Sequence, residues 1–92
     1  MAEPVAEPGL TVRVRYFAGA RAAAGVPEET ISVPAESTVS DALMILGTRH
    51  GETLERVLTA ASFLVDGVAV RDKSLSITDG IQLDVLPPFA GG

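Results

Sequence analysis

The sequence predicts an α+β fold, in which a mixed sheet of four to five strands packs against one main helix. The segments 10–17, 29–33 and 81–86 alternate apolar and polar residues, which is the period of half-buried strands. The segment 39–50 instead spaces its apolar residues along one face of a helix. Asp66-Gly67 is a strong hairpin signal between two short apolar runs. Because each element has one apolar face, two layers around one core are expected.

The composition indicates one small domain without cysteine chemistry. The 92 residues are 47% hydrophobic but only 4% aromatic, so an aliphatic core is expected. A net charge of −5 argues against nucleic acid and anionic membranes as partners and favours a basic protein. The absence of cysteine excludes disulfides, thiolate ligands and thiol nucleophiles, and no metal site is expected. With no apolar run of about 18 residues and no signal-peptide pattern, a cytoplasmic protein is expected.

The first third of the chain predicts a short arm and two strands. Residues 1–9 hold two Ala-Glu-Pro triplets and a glycine, which predicts a disordered arm. The apolar face of the first strand consists of Val12, Val14 and Tyr16. The alanine-rich segment 18–25 is expected to form a helical turn at most. The strand 29–33 should pair with the first strand as a hairpin with a long loop.

The main helix is expected over 39–50, because capping signals flank an apolar stripe. Thr38 and Asp41 resemble a capping box, with Asp in place of the usual Glu or Gln. The stripe consists of Val39, Ala42, Leu43 and Leu46. Gly51 is expected to form a left-handed C-terminal cap. His50, the only histidine, is expected to be a surface residue that suits the helix dipole, not a catalyst.

The second half of the chain predicts a further helical segment and three strands. The segment 52–61 predicts a short helix or turn that packs on the main helix. A hairpin is expected over 62–70. In the loop that follows, Leu75 and Ile77 are expected to be apolar plugs. The last strand, 81–86, leads directly into the end of the chain.

The segment 87–92, Pro-Pro-Phe-Ala-Gly-Gly, predicts a flexible, reactive tail beyond a domain of residues 10–86. Its prolines cannot continue a sheet ladder, so they should end the last strand. Its glycines could pass through a channel too narrow for any side chain and leave the terminal carboxylate unshielded. Fully extended, the tail would reach about 20 Å. The alternative is that glycine and proline occur here because frayed termini tolerate them.

Several stretches occur in an order that is typical of one family. They are Val14-Arg15-Tyr16-Phe17-Ala18, Ser37-Thr38-Val39-Ser40-Asp41-Ala42-Leu43, Leu64-Val65-Asp66-Gly67, Asp79-Gly80 and Pro87-Pro88-Phe89-Ala90-Gly91-Gly92. In these stretches the chain from Leu10 to Gly92 resembles the ubiquitin-like sulfur carriers of the MoaD and ThiS group. It resembles most the MoaD type, the small sulfur-carrier subunit of molybdopterin synthase.

The resemblance implies a β-grasp fold, with the first and last strands parallel at the sheet centre, and a carrier that is not a catalyst by itself. An adenylyltransferase similar to ubiquitin-activating enzymes would use ATP to adenylate the Gly92 carboxylate. A sulfur donor protein would then displace AMP and leave a thiocarboxylate. The large subunit of molybdopterin synthase would accept the tail and supply the catalytic residues, and no cofactor is expected on the carrier. The expected partner-binding residues are Pro87, Pro88, Phe89, Ala90 and Gly91.

Phe89 is expected to anchor the tail in a partner, with help from an apolar patch near the tail and the acidic surface. The alternative is that Phe89 folds back over the end of the sheet. In MoaD-type carriers a smaller aliphatic residue usually stands at this tail position, and an acidic residue is often found where this chain has Ile81. These departures leave the partner open.

Other functions share the same sequence features. Carriers for thiamine, cysteine or secondary-metabolite synthesis have the same ending. A ubiquitin-like modifier would attach Gly92 to lysines of other proteins, and a β-grasp adaptor would carry the Gly-Gly end without using it. An enzyme is least favoured, because the acidic residues are scattered on polar faces where they are expected to be solvated.

Overall fold

A five-stranded sheet is covered on one face by three helices. The computed structural model describes residues 9–88. The elements are β1 (Leu10–Tyr16), α1 (Ala18–Ala24), β2 (Glu28–Val33), α2 (Val39–His50), α3 (Glu52–Ala60), β3 (Ser62–Val65), β4 (Val68–Ala69) and β5 (Ile81–Leu86). The predicted arm, apart from Gly9, and the tail residues 89–92 lie outside the described residues, so those predictions stay predictions. No helix within 9–88 is long and apolar enough to cross a membrane.

The sheet is mixed, with the strand order β2-β1-β5-β3-β4. β1 and β5 run parallel, with Val14 opposite Leu83 and Tyr16 opposite Val85. The other neighbouring strands are antiparallel. This topology confirms the predicted α+β fold and the β-grasp arrangement. Three helices cover the sheet, where one main helix was expected.

The core lies between the sheet and the helices and is mainly aliphatic, as the composition predicts. The strand residues expected to point inward are buried, and so is Leu46 of α2. The buried apolar residues are Val12, Val14, Tyr16, Ala20, Ile31, Val33, Val39, Ala42, Leu46, Leu54, Leu58, Phe63, Ile77, Ile81, Leu83 and Val85.

The main helix has the predicted bounds and the predicted N-terminal cap. The Asp41 amide donates to Thr38 Oγ1 at 3.2 Å, and the Thr38 amide donates to Asp41 Oδ2 at 2.9 Å. These bonds satisfy two backbone donors that the first turn leaves free. The buried stripe differs from the predicted stripe in one residue. Leu43 is only half-buried, whereas Ala42 faces the core.

The alanine-rich segment forms a seven-residue helix, so the prediction of one turn at most was wrong. Ala20 on α1 is 2% exposed, and the helix packs against α3. Gly25 ends it in the left-handed conformation, with its amide donating to the Arg21 carbonyl at 2.9 Å. Tertiary packing therefore stabilises a helix that is too short to form alone.

Gly51 occupies the predicted cap position but not the predicted conformation. Its φ of 97° lies on the left-handed side, whereas its ψ of −171° is extended. The physical reason is that α3 begins at Glu52, so Gly51 must end α2 and start α3 at the same residue. The glycine amide still donates to the Gly47 carbonyl, at 2.8 Å.

The second half of the chain follows the prediction with one exception. Asp66 and Gly67 form the hairpin turn, both with positive φ, of 49° and 84°. Ile77 is buried, but Leu75 is 47% exposed and is not a plug. The Leu75 amide closes a turn by donating to the Asp72 carbonyl at 3.1 Å. This turn leaves the Leu75 side chain on the surface.

Candidate functional site

The predicted reactive tail leaves the domain from the middle strand of the sheet. β5 is paired with β1 on one side and with β3 on the other, and the Phe17 amide donates to the Val85 carbonyl at 3.0 Å. β5 ends at Leu86, and the exposed Pro87 and Pro88 follow outside the ladder, which confirms the predicted end of the strand. The tail is therefore mounted on an element held from both sides.

Only part of the predicted site lies in the described region. Pro87 and Pro88 are placed at the end of β5. Phe89, Ala90 and the Gly91-Gly92 pair lie outside the described residues. Their assigned roles in chemistry and partner binding stay predictions.

An apolar groove lies beside the start of the tail, where the sequence analysis expected an apolar patch without naming its residues. We call it the exit groove; its volume is about 260 Å³. α1 contributes Gly19 and Ala20, α3 contributes Val57 and Ala60, and the segment 86–88 lines it as well. The groove exists because small residues face each other where α1 approaches α3.

The sheet face opposite the helices carries an ion pair that the sequence analysis missed. Arg15 donates from Nε to Asp84 Oδ1 at 2.9 Å and from Nη2 to Asp84 Oδ2 at 3.1 Å. Asp84 is only 4% exposed, so its predicted solvation was wrong. The hydrogen bond to Asp84 raises the pKa of Arg15. The pair joins the parallel strands β1 and β5 close to the tail.

An exposed aromatic residue stands next to this ion pair. The Arg15 guanidinium carbon lies 5.4 Å from the centre of the Phe17 ring. Phe17 is 36% exposed. It directly follows β1, whose last residue is paired with the penultimate residue of β5. Phe17 thus places apolar surface beside the tail.

A second polar cluster fixes the C-terminal end of α2 to β1 and β2. Glu29 accepts a hydrogen bond from the Tyr16 hydroxyl at 2.5 Å, forms an ion pair with Arg49 at 2.8 Å, and contacts His50 Nε2. Burial and the bond to Glu29 raise the pKa of Tyr16. Burial alone would raise the pKa of Glu29, but the bond from Tyr16 and the contacts with His50 and Arg49 outweigh burial and lower it.

His50 is therefore not the surface residue that was expected. Its side chain is 15% exposed, and its ring meets the Tyr16 ring edge to face at 5.9 Å. A signal for this was present in the sequence. Glu29 shares the inward face of β2 with Ile31 and Val33, and His50 continues the apolar stripe of α2.

Neither cluster forms an obvious catalytic centre. Both are closed sets of hydrogen bonds and ion pairs that tie elements together. Within residues 9–88, no three His, Cys, Asp or Glu side chains come together in a way that could hold a metal ion. The chemistry expected at the tail stays a prediction.

Known proteins have a similar sequence and the same fold. Residues 14–92 match the model of the ThiS family. The human protein named molybdopterin synthase sulfur carrier subunit is 36% identical over 87 residues, covering 92% of this chain and 98% of that protein. The protein of the same name from Drosophila yakuba is 31% identical over 88 residues, covering 92% and 94%.

A solved structure supports the fold assignment. Small archaeal modifier protein 1 from Methanosarcina acetivorans has a TM-score of 0.77 and 26% identity, covering 91% of this chain and 98% of that one. These similarities confirm the resemblance to ubiquitin-like sulfur carriers that the sequence motifs indicated. The family model covers residues 14–92, including the tail, and we conclude that the chain belongs to the ThiS family.

Proposed function

We propose that this chain is a cytoplasmic sulfur carrier, the small subunit of a molybdopterin synthase, and that Gly92 holds the sulfur as a thiocarboxylate. The observation that carries the proposal is the match to the ThiS family over residues 14–92, which includes the Gly-Gly pair. The human and Drosophila relatives are named molybdopterin synthase sulfur carrier subunits, which favours this pathway over thiamine or cysteine synthesis.

The proposed chemistry takes place entirely at the Gly92 carboxylate. A carboxylate is a poor electrophile, so an oxygen must first become part of a good leaving group. An adenylyltransferase would join a carboxylate oxygen to the α-phosphorus of ATP, and pyrophosphate would leave. Sulfide-level sulfur (HS⁻) supplied by a sulfur donor protein would then attack the carbonyl carbon, AMP would leave as the C–O bond breaks, and a thiocarboxylate would remain. The carrier needs no bound cofactor for these steps, since ATP is consumed by its partner.

The described residues suit presentation of the tail to two partners in turn. β5 holds the base of the tail rigidly, because it is paired on both sides, while the residues beyond Pro88 can enter a partner. We propose that Pro87 to Gly91 bind the activating enzyme and then the large subunit, with Phe89 as the anchor. Phe17 would add apolar contact beside the tail, and the catalytic residues would belong to the large subunit.

The test is the intact mass of the protein after incubation with a cognate activating enzyme, ATP and a sulfur source. We expect a gain equal to the replacement of one oxygen by sulfur. Deletion of Gly92 should abolish this gain and leave the thermal midpoint unchanged, because a glycine has no side chain to pack in a core. One residue added after Gly92 should also abolish it. Loading of the Gly92-deleted chain would contradict the proposal.

A protein modifier is the second candidate, and the similarity to small archaeal modifier protein 1 favours it. The activation step would be the same, but the acyl-adenylate would pass to a partner protein's lysine in place of sulfur. The two functions differ in their product. An amide between Gly92 and a lysine, with no sulfur-loaded intermediate, would support the modifier and exclude the carrier.

A further inference from the structure

The exit groove has no role in the chemistry described above. We propose that the Phe89 side chain of the same chain binds in the exit groove and holds the tail against the domain until a partner displaces it. The contact does not depend on what reaction Gly92 undergoes, so it can be tested on the isolated full-length chain.

The lining of the groove selects for an apolar side chain. Its walls come from glycine, alanine, valine, leucine and proline, so no lining side chain carries a hydrogen-bonding or charged group. Its volume of about 260 Å³ lies below the roughly 300–1,000 Å³ typical of small-molecule sites. A space this small and apolar suits one side chain better than a polar metabolite.

The position of the groove selects Phe89 as that side chain. Pro88 is part of the lining, and Phe89 is the next residue. Of the residues after Pro88, Phe89 alone has a large apolar side chain, since Ala90 and two glycines follow. Phenylalanine can bury about 150–250 Å² on contact. The covalent link to Pro88 gives Phe89 a high effective concentration at the groove, which a separate partner lacks.

The contact would change how far the reactive end can reach. With Phe89 bound, only Ala90 and the Gly91-Gly92 pair remain free, with an extended length of about 10 Å. With the whole segment 87–92 free, that length is about 20 Å. A partner with a deep channel would therefore have to remove Phe89 from the groove before Gly92 reaches its active site.

The first test places a tryptophan at position 89 of the full chain. The protein contains no tryptophan, so emission from Phe89→Trp reports on this position alone. We expect emission shifted to the blue and weak quenching by acrylamide. Ala60→Arg, in the last turn of α3, should fill the groove. The emission should then shift to the longer wavelength of a solvent-exposed indole. The matched control is Ala22→Arg on α1, which is exposed but does not line the groove, and it should change neither reading.

The second test uses the native Phe89 and does not depend on tryptophan fitting the groove. A phenylalanine ring against Val57 shifts the methyl resonances of Val57. Phe89→Ala should therefore move these signals and leave those of Val68, at the sheet edge, in place. Val57 signals that do not move would overturn the proposal. Emission or methyl shifts that depend on protein concentration would place the Phe89 of a second copy in the groove and would also overturn it.

Discussion

At the scale of single residues, the Arg15–Asp84 pair is a charged feature of β5, the strand that leads into the tail. Asp84 is buried, whereas the Arg15 side chain is 43% exposed. The two partners should therefore respond differently to replacement. Arginine can turn towards water when it loses its partner, but a covered aspartate cannot.

We expect Arg15→Met to lower the free energy of unfolding at neutral pH, because the buried Asp84 carboxylate loses its hydrogen-bond donor. Methionine still covers Asp84 but donates no hydrogen bond to its carboxylate. Urea unfolding at neutral pH measures this. Arg13→Met, on the same strand and exposed, is the control; an equal loss in both variants would contradict the role of the pair.

Two leucines of α2 test the direction in which this helix faces. Leu46 is fully buried, so Leu46→Ala should cost about 2–5 kcal/mol of unfolding free energy. Leu43 is half-buried and lies at the surface near Leu58, so Leu43→Ala should cost clearly less. Chemical unfolding of both variants gives the comparison. A larger loss for Leu43→Ala would show that the helix is rotated from the orientation described.

The misjudged residues are those whose surroundings come from distant parts of the chain. Alternation assigned Asp84 to the polar face of the last strand, which is correct. It could not show that Arg15, separated by 69 positions, covers that carboxylate. In the same way, the sequence pattern placed Glu29 and His50 on the inward faces of their elements. It could not show that the Tyr16 ring and the Arg49 guanidinium would contact them.

At the scale of elements, local signals predicted what local interactions stabilise. The capping box of α2 and the Asp66-Gly67 turn were predicted because their hydrogen bonds and backbone angles belong to neighbouring residues. α1 was missed because it contains an internal glycine and is stabilised by packing on α3. The conformation of Gly51 was missed because it depends on the immediate start of α3.

The Glu29 cluster links β1, β2 and α2, and it should give the fold a defined pH range. The pKa of Glu29 is lowered from 4.5, so its stabilisation is present above pH 4.5 and is lost as the pH falls through the lowered value. The pKa of Tyr16 is raised from 10.0, so its stabilisation is present below pH 10.0 and is lost as the pH rises. The free energy of unfolding should therefore decline on both sides of this range.

Glu29→Gln tests the cluster. At neutral pH we expect a loss of about 1–3 kcal/mol, because Tyr16, Arg49 and His50 lose a charged partner. The decline of stability in acid should also become shallower than in the parent protein. Glu28→Gln, at the neighbouring exposed position, is the control. If the stability of both variants declines in acid as steeply as that of the parent protein, Glu29 does not control the pH dependence.

At the scale of the whole molecule, the sheet topology relates the fold to the proposed function. Parallel pairing of the first and last strands places β5 in the middle of the sheet, so the tail starts where the structure is held on both sides. This arrangement followed from the order of elements and from the family resemblance. The exit groove did not, because it arises from small residues that three separate segments bring together.

The measurement that bears on the central proposal is the mass of the C-terminal peptide after loading with isotope-labelled sulfur. Lys73 is the only lysine, and no arginine follows it, so trypsin should release residues 74–92 as one peptide. We expect this peptide alone to carry the label, in exchange for one oxygen, and fragment masses to place the sulfur on Gly92. Label in any other peptide, or an unlabelled tail that forms an amide with lysine, would contradict the assignment of this chain as a sulfur carrier.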